Sequence, residues 1–138
     1  INLYELFKEI EINFNNKKIS LINLENTFLK GRFTLLKRSF ENVIQNGLVY
    51  GEKVYIEVQK SSNRVTINIE DDGPGIPEDQ YKNVFKPFFR LDKSRSLNQS
   101  GVGLGLAIVE DIINSHGGNI QLGKSKHKGL QFKISLPI

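Results

Sequence analysis

"GGNIQLGKS", residues 117–125, fits the phosphate-loop pattern G-x-x-x-x-G-K-[ST] from Gly118 to Ser125. Its reading separates two kinds of fold. A phosphate loop follows a buried strand and opens a helix, so that backbone N–H groups and the helix N-terminus face the phosphates. Here the order is reversed. "LGLAIVEDIINSHGG" (104–118) is a helical pattern that runs into a Gly stop, and the spacer "NIQL" itself alternates like a strand. After Ser125 the chain continues as "LQFKISLP" (130–137), a second alternating run, so no helix exists to receive a phosphate. The segment reads as a β-hairpin and the motif match as an accident, which leaves a P-loop NTPase using Lys124 as a remote alternative.

Working outward, "NLYELFKEIEINF" (2–14) places Leu3, Leu6, Phe7 and Ile10 at helical spacing, and "ISLINL" (19–24) reads as a short strand. From Arg32 to Leu48 the apolar residues Leu35, Leu36, Phe40, Val43, Ile44 and Leu48 return to a 3.6-residue period. Then the period becomes two: Val54, Ile56, Val58 and Val65, Ile67, Ile69, with "KSSNR" as the turn between them. Residues 77–103 read as a short helix, an aromatic cluster and a polar, mobile loop. Helices and antiparallel strands interleave, which predicts an α+β two-layer sandwich: one mixed, mostly antiparallel sheet with three helices on one face.

The 138 residues, 38% of them hydrophobic, suit one domain with a sizeable core. There is no Cys, which excludes disulfides, thiolate metal sites and thiol catalysis. The net charge of +4 is spread along the chain without a basic stripe or stacking aromatics, so no nucleic-acid partner is expected. No apolar run approaches the ~20 residues that cross a bilayer, and no signal-peptide pattern precedes the first helix. A chain that opens at Ile1 in a helical pattern is expected to be a piece of a longer protein.

Three segments carry candidate chemistry. "EDDGPGIP" (70–77) follows a strand and sets Asp71, Gly73 and Gly75 as D-x-G-x-G. "SGVGLGLAIVEDI" (100–112) opens a helix with Gly101, Gly103 and Gly105, a spacing that misses the dinucleotide G-x-G-x-x-G because position 106 is Leu. Glycines this dense let backbone approach a ligand, and those ahead of the helix can wrap phosphates at its dipole end; either segment alone is also an ordinary turn. In "ENVIQNG" (41–47), Asn42 and Asn46 are four apart and share a helix face. An amide oxygen is a hard, neutral ligand suited to a Mg²⁺ held mainly by triphosphate and water. The rival reading of Asn46-Gly47 is a hairpin turn, but the flanking helical period favours a helix despite a Gly cost of about 1 kcal/mol.

Taken in order, "ENVIQN", "IEDDGPGIP", "FKPFFR" and "GVGLGLAIV" resemble the N, G1, F and G2 boxes of the catalytic ATP-binding domain of sensor histidine kinases. The likeness is to the osmosensor type, and "SHGGNIQLG" and "LQFKISLPI" resemble the family's usual ending. The resemblance covers nearly the whole chain, the first 30 residues by pattern only. It implies the Bergerat fold, shared in outline with gyrase, Hsp90 and MutL, as a single domain over 1–138 with a flexible ATP lid at about 84–103.

The resemblance also implies roles. Asp71 would accept the adenine amino proton, Gly73, Gly75 and Ile76 would pass by the base, and Tyr50 would lie against it. Asn46 would ligate Mg²⁺ and Asn42 would support the phosphates. Phe85, Phe88 and Phe89 would anchor the lid, or simply pack in the core, and Arg90 or Lys93 would reach for the γ-phosphate. Gly101, Val102, Gly103, Leu104 and Gly105 would hinge the lid and donate N–H groups. Asn42, Asn46 and Arg90 are thus the candidate catalytic set. Two departures stand out: the family usually has Ala where Gly47 stands and Lys or Arg where Val49 stands, which predicts a weak pocket.

Related ATPases carry a Glu four residues before the metal Asn, where it takes a proton from water. That position is Asn42 here, and an amide is no base. Glu41 is adjacent but turned about 100° around the helix. Kinase therefore fits better than ATPase. The nucleophile is missing, since His116 lies in a helix stop and His127 in a loop, and neither sits in a phosphoacceptor setting. The resemblance then implies a phosphoacceptor/dimerisation domain elsewhere in the parent, a response regulator downstream, and a cytoplasmic placement below a parent anchored in the plasma membrane. The alternative on the same fold is an anti-sigma-type Ser/Thr kinase or a degenerate nucleotide-binding regulatory module.

Overall fold

A computed structural model describes residues 1–14, 18–22, 26–87 and 105–138. The elements, in chain order, are α1 (Leu3–Asn13), β1 (Ile19–Ile22), α2 (Phe33–Tyr50), β2 (Val54–Lys60), β3 (Arg64–Asp71), a 3-10 helix (Glu78–Asn83), α3 (Gly105–Ser115), β4 (Asn119–Lys124) and β5 (Leu130–Pro137). The strands form one sheet in the order β1-β2-β3-β5-β4. Among the described residues β1 and β2 run parallel, and the other neighbouring strands are antiparallel. This is the mixed, mostly antiparallel sheet that the sequence pattern predicts.

Each helix forms for a local reason and is then held by its apolar face. Asn2 caps α1, its side-chain oxygen accepting from the N–H groups of Tyr4 and Glu5. The helix buries Leu3, Leu6, Phe7 and Ile10, and the Phe7 ring meets Phe40 of α2 at 4.9 Å between centroids. The longer α2 runs through Asn46 and Gly47 without a break, which excludes the hairpin reading of that dipeptide. Gly117, at φ +76°, takes the left-handed conformation that stops α3, and the Gly118 N–H caps the Ile113 carbonyl.

Period-two alternation gives the sheet one apolar face. Val54, Ile56 and Val58 of β2, Val65, Ile67 and Ile69 of β3, and Phe132, Ile134 and Leu136 of β5 are all buried in the core that the helices close. Burying one such side chain stabilises the fold by roughly 1.5–3 kcal/mol, so this face, with the helices on it, is the main source of stability. Parity has a second consequence. Asp71 is two residues past Ile69 and paired with Val54, so the last residue of β3 turns a carboxylate to the core side. In the "GKS" segment, Gly123 pairs with Gln131 and Lys124 with Leu130 in an antiparallel hairpin, so the phosphate-loop reading falls.

Candidate functional site

The site is organised around Asp71, which is 5% exposed. Its Oδ1 accepts from the Gly73 N–H at 2.9 Å and the Leu130 N–H at 3.2 Å, and its carbonyl accepts from the Gly129 N–H at 3.2 Å. Burial pushes the carboxyl above its ordinary range, Gly73 and Leu130 pull it back, and the neighbouring Asp72 adds to the rise. Oδ2 takes no hydrogen bond among the described residues. The carboxylate is thus fixed in rotation, with one oxygen committed to the protein and one available to a ligand donor.

Four segments converge on it. From α2, Gly47 lies directly over the carboxylate: a Cβ there would stand 2.9 Å from Val54 Cγ2, 3.2 Å from Asp71 Cβ and 3.6 Å from Oδ2. One turn on, the Tyr50 carbonyl is 2.9 Å from where a Gly73 Cβ would be, so the D-x-G-x-G loop passes flush against the end of α2. Asp72 Oδ1 ties the same loop to the start of β2, accepting from the Glu52 and Lys53 N–H groups at 2.8 and 3.0 Å. Partial burial would raise the Asp72 carboxyl, but those two N–H groups, its own N–H and nearby His127 outweigh it and hold it below the ordinary range. Gly75, at φ +73°, turns the loop in a conformation that a side chain resists, and Ile76 then packs against the core. The fourth contribution comes from the β4–β5 turn. A Cβ on Gly129 would fall 1.9 Å from Asp71 Oδ1 and 2.5 Å from its carbonyl, so only glycine fits.

At the other end of the same helix face, Asn42 Nδ2 donates to the Gly105 carbonyl at 3.5 Å, bringing α2 to the first residue of α3. Asn46, half-buried, lies between. The face from Asn42 to Tyr50 spans about 12 Å, which lays an acceptor for a base at one end and the opening of a helix at the other. Glu41 belongs to a different face, in the field of Lys37 one turn back, whose Nζ binds Glu9 of α1 at 2.9 Å. Among the described residues no cluster of His, Cys, Asp and Glu is arranged to hold a metal. A cation at Asn46 would therefore depend on oxygens that a ligand brings, and the neutral amide donor set fits a cation of that kind.

Of the predicted site residues, the structure brings together Asn42 with Gly105, and Asp71 with Gly73, beside the end of α2 that carries Tyr50. Phe85 packs edge-on against Phe132 at 6.2 Å and Val84 is buried, so the entry to the expected lid is anchored in the core. Phe88, Phe89, Arg90, Lys93, Gly101, Val102, Gly103 and Leu104 lie outside the described residues. Gly129 and Leu130 are site residues that the sequence reading misses; the one available signal is a glycine immediately before a strand. His116 is more than a helix-end residue: its Nδ1 meets the Ile112 carbonyl at 2.8 Å and its Nε2 accepts the Arg32 N–H at 3.1 Å. These partners require the Nδ1–H tautomer, and the ring pins the end of α3 to the start of α2.

The fold has counterparts among known proteins. The profile of the Histidine kinase-, DNA gyrase B-, and HSP90-like ATPase family matches residues 31–138. Sensor histidine kinase GtrS of Pseudomonas aeruginosa is 36% identical over 107 residues, 78% of this chain and 22% of that protein. Sensor protein RstB of Escherichia coli K12 is 40% identical over 105 residues, 75% of this chain and 24% of that one. The chain therefore spans less than a quarter of the length of these relatives. Among solved structures, the catalytic domain of histidine kinase ThkA superposes with a TM-score of 0.82 at 29% identity, covering 99% of this chain and 94% of that one. The histidine kinase domain of the E. coli osmosensor EnvZ superposes at 0.75 with 32% identity, covering 100% and 87%. The chain belongs to the histidine kinase-, DNA gyrase B- and HSP90-like ATPase family, as an ATP-binding domain of the sensor histidine kinase type.

Proposed function

We propose that this chain is the catalytic domain of a two-component sensor histidine kinase, which passes the γ-phosphoryl group of ATP to a histidine on a separate phosphoacceptor domain of its parent. The observation that carries the reading is the α2 face running from Asp71 to Gly105, whose polar side chains, Asn42 and Asn46, are amides. Asp71 Oδ2 accepts the adenine amino N–H, and Asn42 and Asn46 attend the phosphate end. Asn46 would hold Mg²⁺ together with the triphosphate, and the ion would supply charge neutralisation there. The acceptor imidazole nitrogen forms the new N–P bond, the O–P bond to ADP breaks, and the ring releases its N–H proton. No step asks this domain for a base at position 42, which is why an amide suffices and why water is not activated.

Partners follow from that chemistry: the acceptor-histidine domain, then a response regulator that takes the phosphoryl group. No helix among the described residues is long and apolar enough to cross a membrane. The likeness to sensor kinases disfavours a Ser/Thr kinase acting on a partner. Incubation with γ-labelled ATP tests the reading. The chain alone is expected to stay unlabelled, and the acceptor-histidine domain of the parent, supplied in trans, is expected to gain an acid-labile label. Acid-stable label on a partner, or label on His116 or His127, would overturn it.

A further inference from the structure

The β4–β5 turn carries the Gly129 and Leu130 N–H groups that hold Asp71, yet its own backbone is strained. Lys128, next to Gly129, sits at φ +92°, a region that side-chain-bearing residues avoid. Something outside the turn must therefore fix it. Two consecutive tip residues do so on the sheet face opposite the helices. The His127 ring stacks on Tyr55 of β2, with centroids 3.5 Å apart and planes 11° from parallel. The Lys126 N–H donates to Glu70 Oε1 of β3 at 2.9 Å. Tyr55 and Glu70 are directly paired across β2 and β3, so the tip is clamped to one cross-strand pair. Within the turn, the His127 N–H bonds Ser125 Oγ at 2.9 Å and the Ser125 N–H bonds the Gly129 carbonyl at 2.9 Å, which passes the constraint to Gly129.

We propose that Tyr55 and His127 form a latch that positions Asp71 for base recognition from the far side of the sheet. The inference rests on the nucleotide reading above and names what regulates its selectivity. Neither ring is placed at the nucleotide; both act through the turn. With the latch open, the strained tip relaxes, the Leu130 N–H leaves Oδ1, and the carboxylate is left with the Gly73 N–H alone to orient it. The acceptor that faces the base is then less well placed, and discrimination between an amino and a carbonyl substituent on a purine falls.

The test measures Mg-ATP and Mg-GTP affinity together with exchange of the Leu130 amide, in wild type, Tyr55→Ala, His127→Ala and His127→Phe. An aromatic pair of this kind is worth roughly a two- to tenfold change, so each Ala variant is expected to lose ATP affinity by about that factor, with GTP affected less. Leu130 amide exchange should accelerate by a similar factor in both. His127→Phe, which keeps a stacking ring, should restore the ATP preference and the slow exchange. A lower melting temperature with an unchanged ATP-to-GTP ratio and unchanged Leu130 exchange would make the stack merely structural and overturn the latch. Failure of the wild type to bind ATP would instead sink the nucleotide reading, and the latch would then stand or fall on Leu130 exchange alone.

Discussion

Gly129→Ala places one methyl group where the structure leaves no room. Its Cβ would sit 1.9 Å from Asp71 Oδ1, 2.5 Å from the Asp71 carbonyl and 2.8 Å from the Gly73 nitrogen. An ordinary carbon–oxygen contact needs more than 3 Å, so the turn must retreat by over ~1 Å. That displacement exceeds what the Leu130 N–H bond to Oδ1, already at 3.2 Å, and the Gly129 N–H bond, also at 3.2 Å, can absorb. Losing the neutral bond costs about 0.5–1.5 kcal/mol and the bond to the carboxylate about 1.5–3, hence about 2–4.5 kcal/mol in total. For a chain of this size that is a fall in melting temperature of about 6–15 °C. Thermal unfolding followed by calorimetric titration reads both consequences, and ATP binding should weaken at least tenfold at a temperature where the variant is folded. A variant that melts within about 2 °C of wild type and binds ATP equally would refute the claim that this turn seats Asp71.

Gly47→Ala gains about 1 kcal/mol of helix propensity but crowds Val54 and Asp71, so stability should change little while ATP affinity falls; Gly47→Ala/Val54→Ala should recover affinity by making room, as titration of both variants would reveal. Val49→Lys adds a cation one turn beyond Asn46, and a charge-assisted phosphate bond of roughly 1.5–3 kcal/mol predicts about tenfold tighter ATP at low salt and less at high salt, with no gain meaning that another cation already fills that role. Asp71→Asn should raise the melting temperature at neutral pH. The folded carboxyl titrates above its unfolded value, so its stabilising contribution is full below the unfolded range and is lost as pH rises through the raised folded one; the variant's advantage should therefore vanish in acid, and an advantage that grows in acid would contradict the burial argument.

Much of this was legible because periodicity is a short-range signal. The alternation Val65, Ile67, Ile69 fixes which face of β3 is buried, and by parity it turns Asp71 inward, which is the central fact of the site. The unbroken helical period of α2 likewise placed Asn42 and Asn46 on one face. What escaped depends on contacts between residues far apart in the chain. Nothing local in "KHKGL" says that Gly129 lies against a carboxylate 58 positions earlier, or that His127 stacks on Tyr55. His116 reads from the sequence only as a residue in a helix stop because its bond to the Arg32 N–H spans 84 positions. Gly47, read as a helix cost, is instead the place where α2 closes on Val54 and Asp71.

The most direct test is calorimetric titration of the wild type and Asp71→Asn with Mg-ATP and Mg-GTP. With Oδ1 held by the Gly73 and Leu130 N–H groups, the Asn oxygen must occupy that position, which turns the amide NH₂ to the ligand. The wild type is expected to prefer ATP. The variant should lose about tenfold or more in ATP affinity, because donor faces donor, and gain relative affinity for GTP, whose base offers a carbonyl there. Equal ATP affinity in the two proteins would contradict it.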